Sequence, residues 1–332
     1  MRRPRGTPLA RAAPVLLALL VAACAAGGPP ERVTIPPGAG FGQVADSLAA
    51  HGVIRSRLWF KLLARVQGVD RSVKAGVYEF PRGASTRQVL RTLAAGRIAT
   101  VRLTVPEGLT IPEVAGLAAD RLGIPAESVV AAARDPAEVR ALGLPGSSLE
   151  GFLRPETYSV PVGASGRELV RLLAARFKAD WRPEWTARLD TLGMTQLQLV
   201  TLASIVEGEA RADDEREIIA GVYRNRLRIG MALQADPTVQ YALLLATGRR
   251  KPRLYQKDYL IRSPYNTYLH PGLPPGPVNS PGRRSILAAL YPAKVPYLYF
   301  VAGPDGRHVF SRSYQEHLRA VGKLRKTVSG EQ

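Results

Sequence analysis

The segment from Thr195 to Glu207 constrains the fold of this chain most strongly, because the helix that it predicts is apolar on nearly every side. Thr195 can act as the N-cap, and Gln198, three positions later, completes a capping box. The apolar positions that follow are Leu197, Leu199, Val200, Leu202, Ala203, Ile205 and Val206. A helix of this kind is buried, so the C-terminal half of the chain must pack around it.

Glu207 ends this apolar run and is the first candidate catalytic residue. At helical spacing it lies one turn after Ala203 and two turns after Val200, so its carboxyl emerges where the apolar surface ends. Desolvation at such a position favours the protonated carboxyl, which suits a general acid at neutral pH. The structural alternative is a surface glutamate at the end of a helix.

Composition limits the class of protein. With 332 residues the chain can form two or three domains, and its 46% hydrophobic content excludes a disordered protein. The net charge of +19 is compatible with nucleic acid, an anionic membrane, an acidic polymer such as a cell wall, or an arginine bias with no binding role. No interleaved aromatic and basic element and no base-reading motif is found, so we expect no nucleic-acid partner.

The N-terminus predicts export and attachment to a membrane. Basic residues precede an apolar stretch over 14–26, which is shorter than the roughly 20 residues that span a bilayer. The stretch contains Cys24, the single cysteine, and Val21-Ala22-Ala23-Cys24 resembles the lipobox of a lipidated protein. The alternative is an uncleaved N-terminal anchor. In both cases residues 1–30 form the signal or anchor with its linker, and the rest faces the extracytoplasmic side.

Residues 31–100 predict a small α/β module. A short strand at Val33–Ile35 is followed by a Pro-Gly turn, two helices, a second strand at Ala75–Phe80 and a third helix that Gly96 ends. This order resembles a LysM-type module, a fold that binds the amino sugars of peptidoglycan or chitin. An ordinary α/β spacer domain is the alternative reading.

Residues 101–160 repeat the pattern as a connecting α/β subdomain, and residues 161–332 follow as the candidate catalytic domain. The subdomain ends in Leu149-Glu-Gly-Phe-Leu-Arg-Pro-Glu-Thr-Tyr158, in which Glu150 and Glu156 lie among aromatic residues, as in many sugar-binding clefts. The predicted fold class is therefore α+β: a small LysM-like module followed by a mixed α+β catalytic domain with a buried central helix.

Two further segments of the C-terminal half carry polar candidates. Asp236 precedes Pro237, which fits an N-cap with proline at the first helical position, and this structural role is the alternative to a role in the site. Residues 248–281 form a long irregular stretch rich in proline, tyrosine and asparagine, and ordered loops of this length are usually functional. Tyrosine rings and asparagine amides suit pyranose rings and N-acetyl groups.

Six phrases in order resemble the YceG-like family of endolytic murein transglycosylases. They are Ala203–Glu209, Asn225–Met231, Leu233–Val239, Ser263–Tyr268, Gly272–Gly276 and Tyr297–Val301. Leu149–Tyr158 and a LysM-like subdomain fit the same family, and the resemblance covers roughly residues 33–325. It implies a membrane-attached enzyme that cuts nascent glycan strands internally. Family members generally carry an N-terminal transmembrane helix, from which the short stretch ending near Cys24 departs.

The resemblance also implies a mechanism. A lytic transglycosylase cleaves the β-1,4 bond between N-acetylmuramic acid and N-acetylglucosamine without water, because the C6 hydroxyl of the muramic acid attacks C1. One carboxyl can then suffice, and the family's catalytic glutamate falls on Glu207. The substrate-binding candidates are Glu156, Gln234, Asp236, Tyr265, Asn266, Thr267 and Asn279. We expect no cofactor and no metal, with peptidoglycan strands, the cell membrane and peptidoglycan synthases as partners.

Two alternative functions stay open at this point. A hydrolytic muramidase needs a second acid near Glu207. Glu209 lies on the opposite side of the same helix, so Glu156 is the better candidate for that acid. A non-catalytic, wall-binding lipoprotein is the other alternative, although such a protein does not need an acid at the end of a buried helix.

Overall fold

A computed structural model of the chain describes residues 29–329. Cys24 and most of the predicted anchor therefore lie outside the described residues, and their assignment stays a prediction. The described chain divides into two compact units. The first comprises residues 29–100 and 161–163, and the second comprises residues 101–160 and 164–329.

The first unit is built on one antiparallel strand pair. Strand β1 (Glu31–Ile35) pairs with β2 (Gly76–Phe80), with Val33 opposite Tyr78. Helices α1 (Phe41–Ala50) and α2 (Arg57–Val66) connect the strands, and α3 (Thr86–Ala94) follows. The inward residues of all five elements form one core, which includes Leu48, Phe60, Tyr78 and Leu90. The predicted β-α-α-β order is present, while the specific likeness to LysM remains a prediction.

The second unit begins with a similar arrangement. Strand β3 (Thr100–Thr104) pairs with β4 (Thr157–Pro161), and between them lie α4 (Ile111–Leu122), α5 (Ala126–Ala133) and α6 (Pro136–Ala141). Six helices and two strands follow before the last helix: α7 (Gly166–Asp180), α8 (Pro183–Leu192), α9 (Gln196–Glu209), α10 (Arg216–Arg228), α11 (Asp236–Thr247), α12 (Arg283–Leu290), and the antiparallel pair β5 (Tyr299–Ala302) and β6 (His308–Ser311). Helix α13 (Tyr314–Ser329) completes the described chain.

Helix α9 is the centre of the second unit, as its sequence predicts. The Thr195 hydroxyl accepts a hydrogen bond from the Gln198 amide, and the Gln198 side chain accepts one from the Thr195 amide. Every residue from Leu199 to Val206 is buried. Helices α8, α10, α11 and α12 pack around α9, so the two ends of α9 are the places where its polar residues can reach a cavity.

The mixed α+β fold class is confirmed, with thirteen helices and three two-stranded sheets among the described residues. Within residues 29–329, no single helix is long and apolar enough to cross a membrane. Helices α8 and α9 meet that requirement only as a pair, and the pair is bent by 89°. Because α9 is buried in the core, this composition is that of a central helix.

Candidate active site

The Glu207 side chain is nearly buried, and both of its carboxyl oxygens contact protein groups. Its Oε2 accepts hydrogen bonds from the Gly282 amide at 2.9 Å and from the Ser285 hydroxyl at 2.8 Å. Its Oε1 lies 3.3 Å from Nη2 of Arg216, and the Glu207 side chain is only 7% exposed. Arg216 also donates to Ser285 and Asp213. The carboxylate thereby links the end of α9 to the starts of α10 and α12.

These contacts fix the position of the Glu207 carboxyl, and its catalytic role stays a prediction. The Arg216 guanidinium and the two hydrogen-bond donors orient the Glu207 carboxyl. A carboxylate can accept about four hydrogen bonds, so these three contacts do not use its full capacity. Glu207 thus has one charged partner, Arg216 on α10, and two neutral donors at the start of α12.

Glu209, two residues further along α9, has the properties expected of the acid. It lines a polar cavity of about 320 Å³ together with Gln234, Asp236, Gln240 and Tyr268. Its Oε1 accepts a hydrogen bond from the Tyr223 hydroxyl at 2.9 Å. Glu207 does not line this cavity, because two residues along a helix turn a side chain by about 200°.

The protonation of Glu209 differs from that of an ordinary glutamate. Burial and, as the second cause, the nearby charge of Asp236 raise its pKa to about 7. Hydrogen bonds from Tyr223 and from the Asp236 amide act in the opposite direction. At neutral pH a large fraction of Glu209 thus carries the proton that a general acid must donate.

A raised pKa alone does not identify a site, as Glu150 demonstrates. Burial also raises the pKa of Glu150 to about 7. Its oxygens accept from the Ile111 amide at the start of α4 and from the Tyr241 hydroxyl, and the residue is 2% exposed. Glu150 is therefore a buried helix cap. Glu209 combines the same protonation with a cavity that a ligand can enter.

Asp236 is the second carboxylate that lines the cavity. The sequence suggests it as a substrate-binding residue, and that role stays a prediction. Its Oδ1 accepts from the Tyr268 hydroxyl at 2.7 Å, and its Oδ2 accepts from the Tyr259 hydroxyl at 3.3 Å. Both tyrosines belong to the long irregular segment. The segment thus holds Asp236 in place beside Glu209.

Gln234 lines the cavity with a strained backbone. Its φ of 48° makes it the one non-glycine residue with positive φ among those described. The strain is held by Thr267, whose carbonyl accepts from the Gln234 amide at 3.1 Å and whose hydroxyl accepts from the Ala235 amide at 3.0 Å. Strain of this kind clusters at functional sites, and here it orients the exposed Gln234 side chain toward the cavity.

Asn266 and Thr267 are buried and paired with protein groups, and their direct contact with sugar stays a prediction. The Asn266 amide donates to the carbonyls of Tyr259 and Ile261, and its side-chain oxygen accepts from the Tyr268 amide. Asn266 thereby fixes the turn that carries both tyrosine partners of Asp236. Polar groups of a buried loop must be paired with protein groups, which the sequence pattern alone cannot distinguish from ligand contacts.

Three further candidates lie away from this cavity's lining. Asn279 is fully buried, and its amide donates to the Ser204 carbonyl on α9. The Tyr265 ring packs on Tyr241 with centroids 4.8 Å apart. Glu156 forms an ion pair with Arg176 on α7. Their contact with substrate, and the reading of Glu156 as a second acid, stay predictions.

Gly208 explains how α9 and α11 come together at the site. A Cβ atom at this position would lie 2.6 Å from Cγ of Pro237, so only glycine allows Pro237 and the adjoining Asp236 to approach so closely. The Glu-Gly-Glu sequence was the available signal for this contact. Sequence reasoning missed Glu209 and Tyr268, together with Gln240 and Arg226, which also line the cavity.

The fold and the site define an α+β protein in which a glutamate with a raised pKa, at the end of a core helix, lines a polar cavity. The chain belongs to the YceG-like family, whose model matches residues 33–323.

Similar proteins extend over most of the chain. It is 32% identical over 309 residues to a Bacillus subtilis protein named endolytic murein transglycosylase, covering 88% of this chain and 84% of the relative. A Streptococcus pneumoniae protein of the same name is 29% identical over 323 residues, and the match spans 58% of its length. A crystal structure of a YceG-like protein from Listeria monocytogenes is 31% identical, with a TM-score of 0.61, and the match covers 87% of this chain and 98% of that one.

Proposed function

We propose that this protein is an endolytic murein transglycosylase that cleaves the β-1,4 bond between N-acetylmuramic acid and N-acetylglucosamine within glycan strands. The observation that carries the proposal is the protonated Glu209 in a polar cavity, in a chain whose similar proteins bear that name. We assign the catalytic proton to Glu209 in place of Glu207.

The reaction needs one proton-carrying group. The Glu209 carboxyl donates its proton to the glycosidic oxygen while the bond between C1 and that oxygen breaks. The C6 hydroxyl then attacks C1, and the Glu209 carboxylate accepts the hydroxyl proton, which restores the acid. The products are a free C4 hydroxyl and a 1,6-anhydro-muramic acid end, and no water is consumed. Intramolecular attack has a large proximity advantage over attack by water.

The hydrogen bonds from two tyrosines to Asp236 favour the intramolecular reaction over hydrolysis. A muramidase uses its second carboxylate as a nucleophile or to activate water. In this cavity, hydroxyl donors from Tyr268 and Tyr259 occupy one oxygen each of Asp236. Asp236 instead keeps Glu209 protonated and supplies negative charge near the positive charge that develops at C1.

The pH dependence should therefore respond to Asp236. Because Glu209 must be protonated to donate, the cleavage rate of the wild type is expected to fall as pH rises through about 7. Removing the negative neighbour lowers the pKa of Glu209, so Asp236→Asn should move this decline to lower pH. Rate measurements from pH 5 to 9 test this, with the exposed Asp120→Asn on α4 as a charge-matched control. An unchanged profile in Asp236→Asn would contradict the coupling.

Product analysis tests the function itself. The purified chain is incubated with intact glycan strands in water enriched in oxygen-18, and the released fragments are analysed by mass spectrometry. We expect internal fragments of mixed length that end in anhydro-muramic acid without oxygen-18. Reducing ends that carry one oxygen-18 atom would establish hydrolysis, and disaccharides released only from strand ends would exclude the endolytic mode.

We also propose attachment to the cytoplasmic membrane with the enzyme on the extracytoplasmic side. The charged N-terminus and the apolar stretch up to Ala26 support this placement. Helix α2 adds support, since Leu58, Leu62 and Val66 are exposed at intervals of one turn and Lys61 and Arg65 lie between them. N-terminal sequencing of membrane-extracted protein separates the two forms of anchor: Cys24 as the first residue indicates a lipoprotein, and an intact Met1 indicates an uncleaved helix.

A further inference from the structure

A groove outside the Glu209 cavity gathers basic side chains from three segments. It has a volume of about 810 Å³ and lies between the end of α8, one face of α10 and the segment 292–296. Four cationic residues line it: Arg188, Arg224, Arg228 and Lys294. No acidic residue is among the lining residues of this groove.

Two of these arginines are held in place by backbone carbonyls. Nη2 of Arg224 donates to the Leu192 carbonyl at 3.2 Å, and Nε of Arg188 donates to the Leu290 carbonyl at 3.0 Å. The Arg188 guanidinium also lies over the Tyr291 ring, 5.4 Å from its centroid. Each guanidinium keeps further N–H donors for another partner. Their positions are thus fixed before any ligand arrives.

The two arginines repel each other without a compensating carboxylate. Burial lowers the pKa of Arg224, and the neighbouring charge of Arg188 lowers it further. Within residues 29–329, neither forms an ion pair, and the exposed side chains of Arg228 and Lys294 have no hydrogen-bond or ion-pair partner. An uncompensated cluster of like charges is unfavourable by itself, and a bound anion would remove that repulsion.

The groove is preformed by contacts that bring its walls together. The Asn225 amide donates to the carbonyls of Val295 and Tyr297 at 2.8 Å and 3.0 Å. The Ala293 amide donates to the Glu217 carbonyl at 2.9 Å. The absence of a side chain at Gly221 lets this segment approach α10 closely. The remaining wall is apolar and is formed by Leu192, Leu227, Val295 and two prolines, Pro292 and Pro296.

We propose that this groove binds a phosphate or diphosphate group whose apolar substituent lies against the Leu192 and Val295 wall. A single carboxylate would compensate only one of four charges, whereas phosphate oxygens accept paired guanidinium donors and carry more charge in a compact group. The volume lies within the range of small-molecule sites. This inference is independent of the reaction at Glu209.

Calorimetric titration of the full chain in a non-ionic detergent tests the proposal with four phosphate-containing probes and one acidic peptide, triglutamate. Pyrophosphate and inorganic phosphate represent a free or polymer-borne phosphate. Dihexanoyl phosphatidylglycerol represents an anionic lipid head group, and dihexanoyl phosphatidylcholine is the neutral lipid control. We expect saturable binding of pyrophosphate or of the anionic lipid. The tighter of the two identifies the source of the phosphate.

Substitutions of the lining residues test whether the phosphate binds in this groove. Arg224→Gln should weaken binding by at least about tenfold, as expected for a lost charge-assisted pair. The double variant Arg228→Gln/Lys294→Gln should do the same, and its exposed side chains make no contact on which folding depends. Arg102→Gln removes one exposed positive charge on β3, the same change of charge as in Arg224→Gln. This control variant should bind like the wild type.

Four results would overturn the inference. They are no saturable binding of either anionic class by the wild type, equal weakening in Arg102→Gln, equal binding of the neutral lipid, and tighter binding of a triglutamate peptide than of every phosphate probe. The last would assign the groove to an acidic peptide.

Discussion

Glu209→Gln is expected to reduce the rate of glycan cleavage by about two to four orders of magnitude, the usual contribution of general acid–base catalysis. Glutamine keeps the shape of the side chain and can still accept the hydrogen bond from Tyr223. It cannot donate a proton to the glycosidic oxygen or accept one from the C6 hydroxyl. The rate is measured as the formation of anhydro-muramic acid ends, with the exposed Glu217→Gln on α10 as the control.

The same substitution should leave the fold at least as stable as the wild type. The pKa of Glu209 is raised in the folded protein, so the unfolded chain ionises first as pH rises above the ordinary range of a glutamate, and stability is lost between about pH 4.5 and 7. Glutamine removes that loss, which amounts to roughly 3 kcal/mol at most. At pH 8 the variant should therefore unfold at higher denaturant concentration, and at pH 4 the difference should vanish. Loss of activity through unfolding would contradict the account.

Glu207→Gln should have the opposite profile, with a large effect on stability and a small effect on the reaction. The substitution removes one partner of a buried ion pair, in which the Arg216 side chain is 10% exposed. Leaving a buried charge without its partner costs about 3 kcal/mol, and the remaining contact with Asp213 reduces that loss. Denaturant unfolding at pH 7 measures it.

The folded fraction of Glu207→Gln should cleave glycan at nearly the wild-type rate, because Glu207 does not line the cavity. The rate must be measured at a temperature at which the variant is fully folded. A folded Glu207→Gln protein as inactive as Glu209→Gln would return the catalytic role to Glu207 and overturn the assignment proposed from the structure.

Local signals in the sequence predict the fold well where neighbours in the chain decide the structure. The capping box of Thr195 and Gln198 and the apolar residues after it define α9 and its burial. Pro237 likewise lies in the first turn of α11, although the N-cap is Ala235 and not Asp236 as the sequence predicts. These features depend on backbone hydrogen bonds and apolar spacing within a few turns, so they can be read from a single segment.

The choice between Glu207 and Glu209 could not be made in this way. Each ends the same helix, and their difference arises from partners distant in sequence: Gly282 and Ser285 for Glu207, and Asp236 for Glu209. The roles of Asn266 and Thr267 depend on the tertiary fold for a related reason. Polar loop residues suit sugars, but these two are used to pair buried backbone groups, and only the tertiary fold reveals which use applies.

Carbon-13 NMR titration of the glutamate carboxyls tests the central claim most directly. In the wild type we expect two carboxyl resonances with midpoints near pH 7, from Glu150 and Glu209. The Glu209 resonance should be absent from Glu209→Gln and present in folded Glu207→Gln, and its midpoint should coincide with the pH at which the cleavage rate declines. A Glu209 midpoint near the ordinary value for glutamate, or a decline of rate that does not follow it, would contradict Glu209 as the acid.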